Sequence, residues 1–406
     1  METLSLQNKY KLKELELNAL LEITQAINNN LPEVSLYKIY EFTLRANLNI
    51  KRLALYVLDE YWECKVSYGT HMNCFETPID PSFFESSSIS TINNGRTDVF
   101  GEFDCVVPIS HKSSVLAMVF VGDVEEEDDE MRKSSMRFIQ ALSNIIIVAI
   151  ENKKLARKQL EQEALRKELE IASDVQQFLF PENLPYGMRL KIEASYLPHD
   201  RVGGDYYDYI PINKNQFLIC IADVSGKGIP AALMMSNFQA SLRTLVRQTP
   251  NLKEIVEELN YHVLENAKGE KFITSFAAIY DHQLKTLVYV NSGHNPPLLI
   301  KRNGHIELLE EGSTVLGAIH PLPFINEGFI TDLDDFLLFC YTDGLTETES
   351  ESGEEYGLDR LMQYFEKNSD KDLRRIHQDI IIELDGFKGR NGYKDDITIL
   401  SCKIEP

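Results

Sequence analysis

The sequence has no long apolar run. Stretches such as residues 145–150 fall far short of the roughly 20 residues that a membrane-spanning helix needs. The chain starts Met1-Glu2-Thr3-Leu4 and turns polar and amphipathic at once, without the apolar stretch of a signal peptide. It also has no CxxC pair. Cys64, Cys74, Cys105, Cys220, Cys340 and Cys402 are dispersed, and four sit in apolar strand-like contexts, so buried thiols in a reducing cytoplasm are expected. Basic residues are in deficit: 41 Lys and Arg against 63 Asp and Glu, a net charge of -22. That balance argues against a binder of nucleic-acid backbones, which concentrates Lys and Arg. An acidic chain can still act on a phosphorylated substrate where metal ions supply the positive charge. There is no HExxH zinc helix and no Cys-x5-Arg phosphatase loop. Ser225-Gly226-Lys227-Gly228 is not a Walker A loop, because Ile221 and Gly228 stand where Gly and Ser or Thr are required. The expected location is the cytoplasm, with neither a membrane nor a nucleic acid as partner.

What is present fits two domains and a connector, since 406 residues exceed one ordinary core. Leu12, Leu15, Ala19, Ile23 and Ile27 recur at helical spacing, and a second helix is expected over 35–46. Strand-like runs follow at 52–58 and 63–68, then loops over 69–101 with a short helix around 82–87, then a hairpin of strands at 105–110 and 115–122. This order of elements resembles a GAF sensor domain over residues 1–150. The resemblance implies a dimerising domain that takes a protein-borne signal; no haem or nucleotide is expected, and His71, Cys64 and Cys74 are read as structural. From 131 to 180 there is neither proline nor glycine. Ile139, Leu142, Ile146 and Ala149 keep heptad-like spacing, continued imperfectly by Leu155, Leu165, Leu169 and Ala172. A continuous helix here would be about 75 Å long. It is expected to pair with a copy of itself, so that residues 151–184 form a coiled-coil linker in a homodimer. Pro181 and Pro185 end it.

From 189 onward short strands dominate: 191–196, 216–222, 273–280, 286–291, 297–301, 336–341 and 397–404. Helices are expected at 230–247, 252–265, 358–366 and 372–384. Hairpin-linked strands with paired helices predict an α+β domain over 185–406, two antiparallel sheets between helical layers. Four acidic turns punctuate it: Gly203-Gly204-Asp205, Asp223-Val224-Ser225-Gly226, Thr342-Asp343-Gly344 and Lys394-Asp395-Asp396. Hard divalent cations prefer oxygen ligands. Gathering carboxylates without them is costly, about 4 kcal/mol for a like-charged pair at about 4 Å and an effective dielectric near 20. Two divalent ions would balance four carboxylates and orient a water for attack on phosphorus, with no protein nucleophile.

Five stretches in order, Val202–Asp208 (VGGDYYD), Ala222–Leu233 (ADVSGKGIPAAL), Asn291–Pro297 (NSGHNPP), Tyr341–Glu347 (YTDGLTE) and Lys394–Ile399 (KDDITI), resemble the PPM family of metal-dependent serine/threonine phosphatases, in particular its SpoIIE/RsbU-type branch. The resemblance implies an α-β-β-α sandwich and two Mn²⁺ or Mg²⁺ ions. It implies Asp205, Asp223 (bridging), the Val224 backbone carbonyl, Asp343 and Asp395 as ligands, with Asp396 a weaker candidate because adjacent strand residues face opposite ways. Arg201 is a candidate phosphate-binding residue at an imperfect spacing. Asp208 is read as orienting its turn, and His294 as structural. The implied substrate is a phosphorylated STAS-type anti-sigma-factor antagonist. The segment 172–181 resembles the family's regulatory helix, with Ala172, Gln176, Phe178 and Leu179 as regulatory residues. Two rivals stand beside this reading: a non-catalytic dimeric scaffold, and a nucleotide cyclase, against which Tyr206-Tyr207 stands where a GGDEF motif would continue with Glu-Phe.

Overall fold

The computed structural model describes residues 2–47, 50–79, 83, 88–92, 96–111, 114–123 and 129–406. The chain divides into two compact units, Met1–Glu163 and Ala164–Pro406. The first contains α1 (Glu2–Asn28), α2 (Glu33–Asn47), β1 (Arg52–Leu58), β2 (Trp62–Tyr68), β3 (Ser90–Thr91), β4 (Cys105–His111), β5 (Ser114–Gly122) and the start of α3 (Asp129–Gln177). Its five strands form an antiparallel sheet in the order β2-β1-β5-β4-β3. Side chains alternate across β1. Leu53, Leu55 and Val57 pack under the helices with Ile23, Tyr40 and Leu44. Ala54 and Tyr56 face a second core of Phe100, Phe103, Met118 and Phe120. The short helix expected around 82–87 lies, except for Phe83, outside the described residues.

The long helix forms, but its apolar residues do not act as one seam. Ile139, Leu142 and Ile146 are buried in the core of the first unit, together with Ile147 and Ile150. Their spacing reflects a helix lying on a sheet as well as it would a coiled coil. Beyond residue 150 the helix is largely exposed, Leu155, Leu160 and Leu165 included. The last turns of α3 fall within the second unit.

The second unit contains β6 (Leu190–Leu197), β7 (Tyr206–Pro211), β8 (Gln216–Val224), α4 (Ile229–Gln248), α5 (Leu252–Ala267), β9 (Ile273–Asp281), β10 (Thr286–Ser292), β11 (Leu298–Lys301), β12 (Ile306–Leu308), β13 (Gly312–Ser313), β14 (Gly328–Ile330), β15 (Phe336–Tyr341), α6 (Asp343–Thr346), α7 (Gly357–Asn368), α8 (Leu373–Lys388) and β16 (Ile397–Ile404). One sheet runs β13-β10-β9-β8-β7 with β14 added on β10, and the other runs β12-β11-β15-β16-β6. Pairing is antiparallel except between β10 and β13. The alternation of β8 explains the layering. Phe217, Ile219 and Ile221 meet Leu338, Cys340 and Leu400 of the facing sheet. Leu218, Cys220 and Ala222 meet Met235, Phe238, Leu242 and Ile255 of α4 and α5. On the other side, Leu337, Phe339 and Ile399 pack under Leu361, Phe365 and Ile380 of α7 and α8. Each buried Leu, Ile, Phe or Met among them contributes about 1.5–3 kcal/mol. Asn251 and Asp372 start α5 and α8 by accepting hydrogen bonds from first-turn N–H groups. The resulting order of layers is helix, sheet, sheet, helix.

Candidate metal centre

The two sheets bring the acidic turns to one end of the sandwich. Asp223 is the penultimate residue of β8, and Asp343 follows β15 as the first residue of α6. Asp205 and Asp395 precede β7 and β16 instead. Because β7 and β16 run antiparallel to β8 and β15, strand starts and strand ends meet at the same edge. Tyr206 lies opposite Ala222 in that register, which sets Asp205 beside Asp223.

Asp205 is almost fully buried. Its Oδ2 accepts hydrogen bonds from Thr342 Oγ1 at 2.8 Å and Thr398 Oγ1 at 2.5 Å. Asp223 lies within hydrogen-bonding reach of Asp205. Burial first, and then the charge of Asp223, hold the Asp205 carboxyl well above the usual carboxylate range. Burial, followed by Asp343 and Asp395, pushes Asp223 up to about 7. Asp343 is also raised, by burial and then by Asp395. Asp395 pairs with Lys227, Oδ2 to Nζ at 2.8 Å. Burial and mutual repulsion thus make these three carboxyls resist ionisation, and positive charge placed among them would relieve the repulsion.

That demand fits hard divalent cations: the donors are all oxygen, and the charge deficit is what such ions would fill. Among the described residues, no three Asp, Glu, His or Cys side chains already sit in a geometry that would hold one ion. The threonine hydroxyls on Asp205 and the ammonium on Asp395 occupy carboxylate oxygens in this arrangement.

Asp396 adds its charge to the acidic group, raising Asp205 and Asp223, but both of its carboxylate oxygens are engaged by backbone N–H groups. Its Oδ1 accepts from the His199 N–H at 2.8 Å and its Oδ2 from the Gly204 N–H at 2.9 Å. It ties the turn before Asp205 to the start of β16. The glycines serve this same packing. A Cβ on Gly203 would lie 2.1 Å from Asp396 Oδ2, and one on Gly344 would lie 2.1 Å from the Asp396 carbonyl oxygen. They allow chain to approach chain, where the sequence alone pointed to backbone approaching an ion. Val224 ends β8 buried, with its carbonyl oxygen against Gly204.

Residues 213–405 match the SpoIIE family, described as Stage II sporulation protein E. Phosphoserine phosphatase RsbU of Bacillus subtilis (strain 168) is 29% identical over 242 residues, which cover 59% of this chain and 70% of that protein. The second unit is a SpoIIE-type PP2C phosphatase domain. Phosphoserine phosphatase RsbP of the same organism is 26% identical over 186 residues, 45% of this chain and 46% of that protein, so the chain spans about half the length of this relative. The solved SiaA-PP2C domain of Pseudomonas aeruginosa has the same fold, with a TM-score of 0.54 at 20% identity over 60% of this chain and 99% of that one.

The end of α3 reaches into this phosphatase domain. The Gln176 side chain is buried and makes two hydrogen bonds to one residue: Nε2 donates to the Gly203 carbonyl at 2.8 Å, and Oε1 accepts from the Gly203 N–H at 3.2 Å. The Leu179 carbonyl accepts from Gln239 Nε2 at 3.2 Å and Arg243 Nη2 at 3.5 Å. Phe180 stacks on Tyr207, ring centroids 4.9 Å apart. Ala172 is half-buried, whereas Phe178 is exposed. Arg201 lies 3.4 Å from Glu170 of α3, which places it on the helix side of the turn.

Asp208 is fully buried. It accepts from Arg243 Nε at 2.7 Å, from the Tyr206 hydroxyl and from the Tyr209 N–H, and so braces β7 against α4. His294 is buried beside Thr274 Oγ1, 3.0 Å from Nδ1. Burial lowers its pKa to about 4, so it is neutral at pH 7. Thr342, Thr398, Lys227, Gln239 and Arg243 were missed as functional residues. The first three lie inside the quoted acidic stretches and were legible there; Gln239 and Arg243 sit mid-helix with no local signature.

Proposed function

We propose that this chain is a signal-regulated, cytoplasmic protein phosphatase that hydrolyses phosphoserine or phosphothreonine on a STAS-type anti-sigma-factor antagonist. The observation that carries the reading is the gathering of Asp205, Asp223, Asp343 and Asp395 at one edge of the sandwich, where burial and neighbouring carboxylates raise the first three and the Lys227 ammonium faces the fourth. RsbU and RsbP, both named phosphoserine phosphatases, support it. Two Mn²⁺ or Mg²⁺ ions held by these four carboxylates and the Val224 carbonyl would supply positive charge for the phosphoryl group and lower the pKa of an attacking water. The chain's own residues do the positioning. Thr342 and Thr398 orient Asp205, Asp396 fixes the turn that carries it, and the strand register sets it against Asp223.

Regulation enters in this reading through Gln176, which grips the residue two before Asp205. A shift of α3 would move that turn and change how well the centre holds its ions. The first unit is read as a GAF-like sensor, supported by its five-stranded sheet with helices on one face. A homodimer through this unit and α3 would cover the exposed leucines of the helix.

The full chain with Mn²⁺ should release inorganic phosphate from a phosphoserine peptide and form no cyclic product from ATP or GTP. Cyclic nucleotide formation, or no phosphate release from a phosphorylated STAS protein, would contradict the reading and favour the cyclase or the scaffold.

A further inference from the structure

We infer that Lys227 is the side chain that grips the phosphoryl group of the substrate; the inference rests on the phosphatase reading above. A phosphate monoester brings about two negative charges at neutral pH. It would meet a small cavity of about 140 Å³ whose lining includes Glu347, Glu349, Glu355 and Asp395. Such a rim repels an anion unless a cation stands within it. Lys227 and Lys394 both line the cavity. Lys394 is engaged by Glu349, Nζ to Oε1 at 2.5 Å. Lys227 is held differently: its Nζ lies 2.8 Å from Asp395 Oδ2, a carboxylate of the acidic group, and donates to the Lys394 carbonyl. The ammonium therefore stands directly at the edge where the reacting phosphorus must sit.

The loop that carries Lys227 is built to hold it there. Gly226 and Gly228, on either side, have φ of 91° and 73°, a backbone shape that favours glycine. Ser225 is fastened at three points: its N–H donates to the Phe272 carbonyl at 2.9 Å, its Oγ accepts from the Phe272 N–H at 3.0 Å, and its carbonyl accepts from Lys271 Nζ at 2.8 Å. Asp223 and Lys227 are thus two ends of one braced segment. The side chain of Lys227 stays about half exposed, so a third donor of its ammonium can meet a phosphoryl oxygen while the Asp395 contact orients it. Arg201 does not line this cavity and lies 3.4 Å from Glu170 of α3.

The test uses the full chain with Mn²⁺ and the variants Lys227→Gln and Lys227→Arg, each checked for folding by circular dichroism. Four quantities are read: the KM for a phosphoserine peptide, the inhibition constant and calorimetric Kd of inorganic phosphate, and the calorimetric Kd of Mn²⁺. Lys227→Gln should weaken phosphate binding and raise KM by about ten- to a hundredfold, the loss of one charge-assisted hydrogen bond, without weakening Mn²⁺ binding. Lys227→Arg should recover most of the phosphate affinity. Unchanged phosphate affinity in Lys227→Gln would overturn the inference, as would weakened Mn²⁺ binding alone, which would make Lys227 a support for Asp395. If the unaltered chain released no phosphate from the peptide, the phosphatase reading would fail, and phosphate calorimetry on the same samples would still decide for or against Lys227.

Discussion

Asp395 and Asp396 are neighbours with opposite duties. One faces the acidic edge and the other accepts two backbone N–H groups. Both lie before β16 rather than in it, so strand alternation is not what sets that division. What Asp396 holds was not legible, because His199 and Gly204 are almost two hundred residues away. Asp205, Asp223 and Asp343 could be picked out, each being flanked by its own turn residues. Their electrostatic state depends on the fold, and it has a measurable consequence. Asp223 is raised from 3.8 to about 7, by burial and then by Asp343 and Asp395. Between about pH 4 and 7 the folded chain keeps a proton there that the unfolded chain has released, so this group takes away stability as pH rises through that window. In the presence of a chelator, Asp223→Asn should therefore be more stable than the unaltered chain at pH 8. The gap should narrow towards pH 5. Thermal melts at the two pH values would show it, and a variant less stable than the parent at pH 8 would count against an uncompensated Asp223.

At the scale of elements, long and strongly patterned segments were readable and short polar ones were not. Helices α4, α5, α7 and α8 appear within a few residues of their expected spans. Strand β7 escaped notice because Asp208 and the run of tyrosines hide its alternation; its partner Arg243 lies on α4, far along the chain. The start of the connector helix shows how one pattern can serve two purposes. Ile139, Leu142 and Ile146 carry heptad-like spacing, yet they serve the core of the first unit. Periodicity reports that a face is buried, not what buries it. The regulatory role assigned to the end of α3 now separates by residue. Gln176 touches the turn before Asp205, whereas Phe178 points to solvent. Removing two hydrogen bonds should loosen that turn. Gln176→Ala is expected to weaken Mn²⁺ binding about three- to tenfold, while Phe178→Ala leaves it unchanged. Calorimetric titration of both variants checks this, and equal affinities in the two would remove Gln176 from the regulatory account.

For the whole molecule, the acidic balance of the sequence has two meanings. A net charge of -22 argues against a nucleic-acid partner. It does not explain an acidic site, because most of those carboxylates are spread over exposed surface. The four that matter are brought together by two sheets whose antiparallel strands start and end at the same edge. No helix among the described residues is long and apolar enough to cross a membrane. The central claim is that this edge is a metal centre that hydrolyses a phosphate ester. It is tested most directly by the rate of phosphate release from a phosphoserine peptide as Mn²⁺ is titrated into the full chain and into Asp343→Asn. The account predicts no turnover in chelator, saturable activation by Mn²⁺, and a rate at least about a hundredfold lower in Asp343→Asn. Turnover that persists in chelator, or that is undiminished in Asp343→Asn, would contradict it.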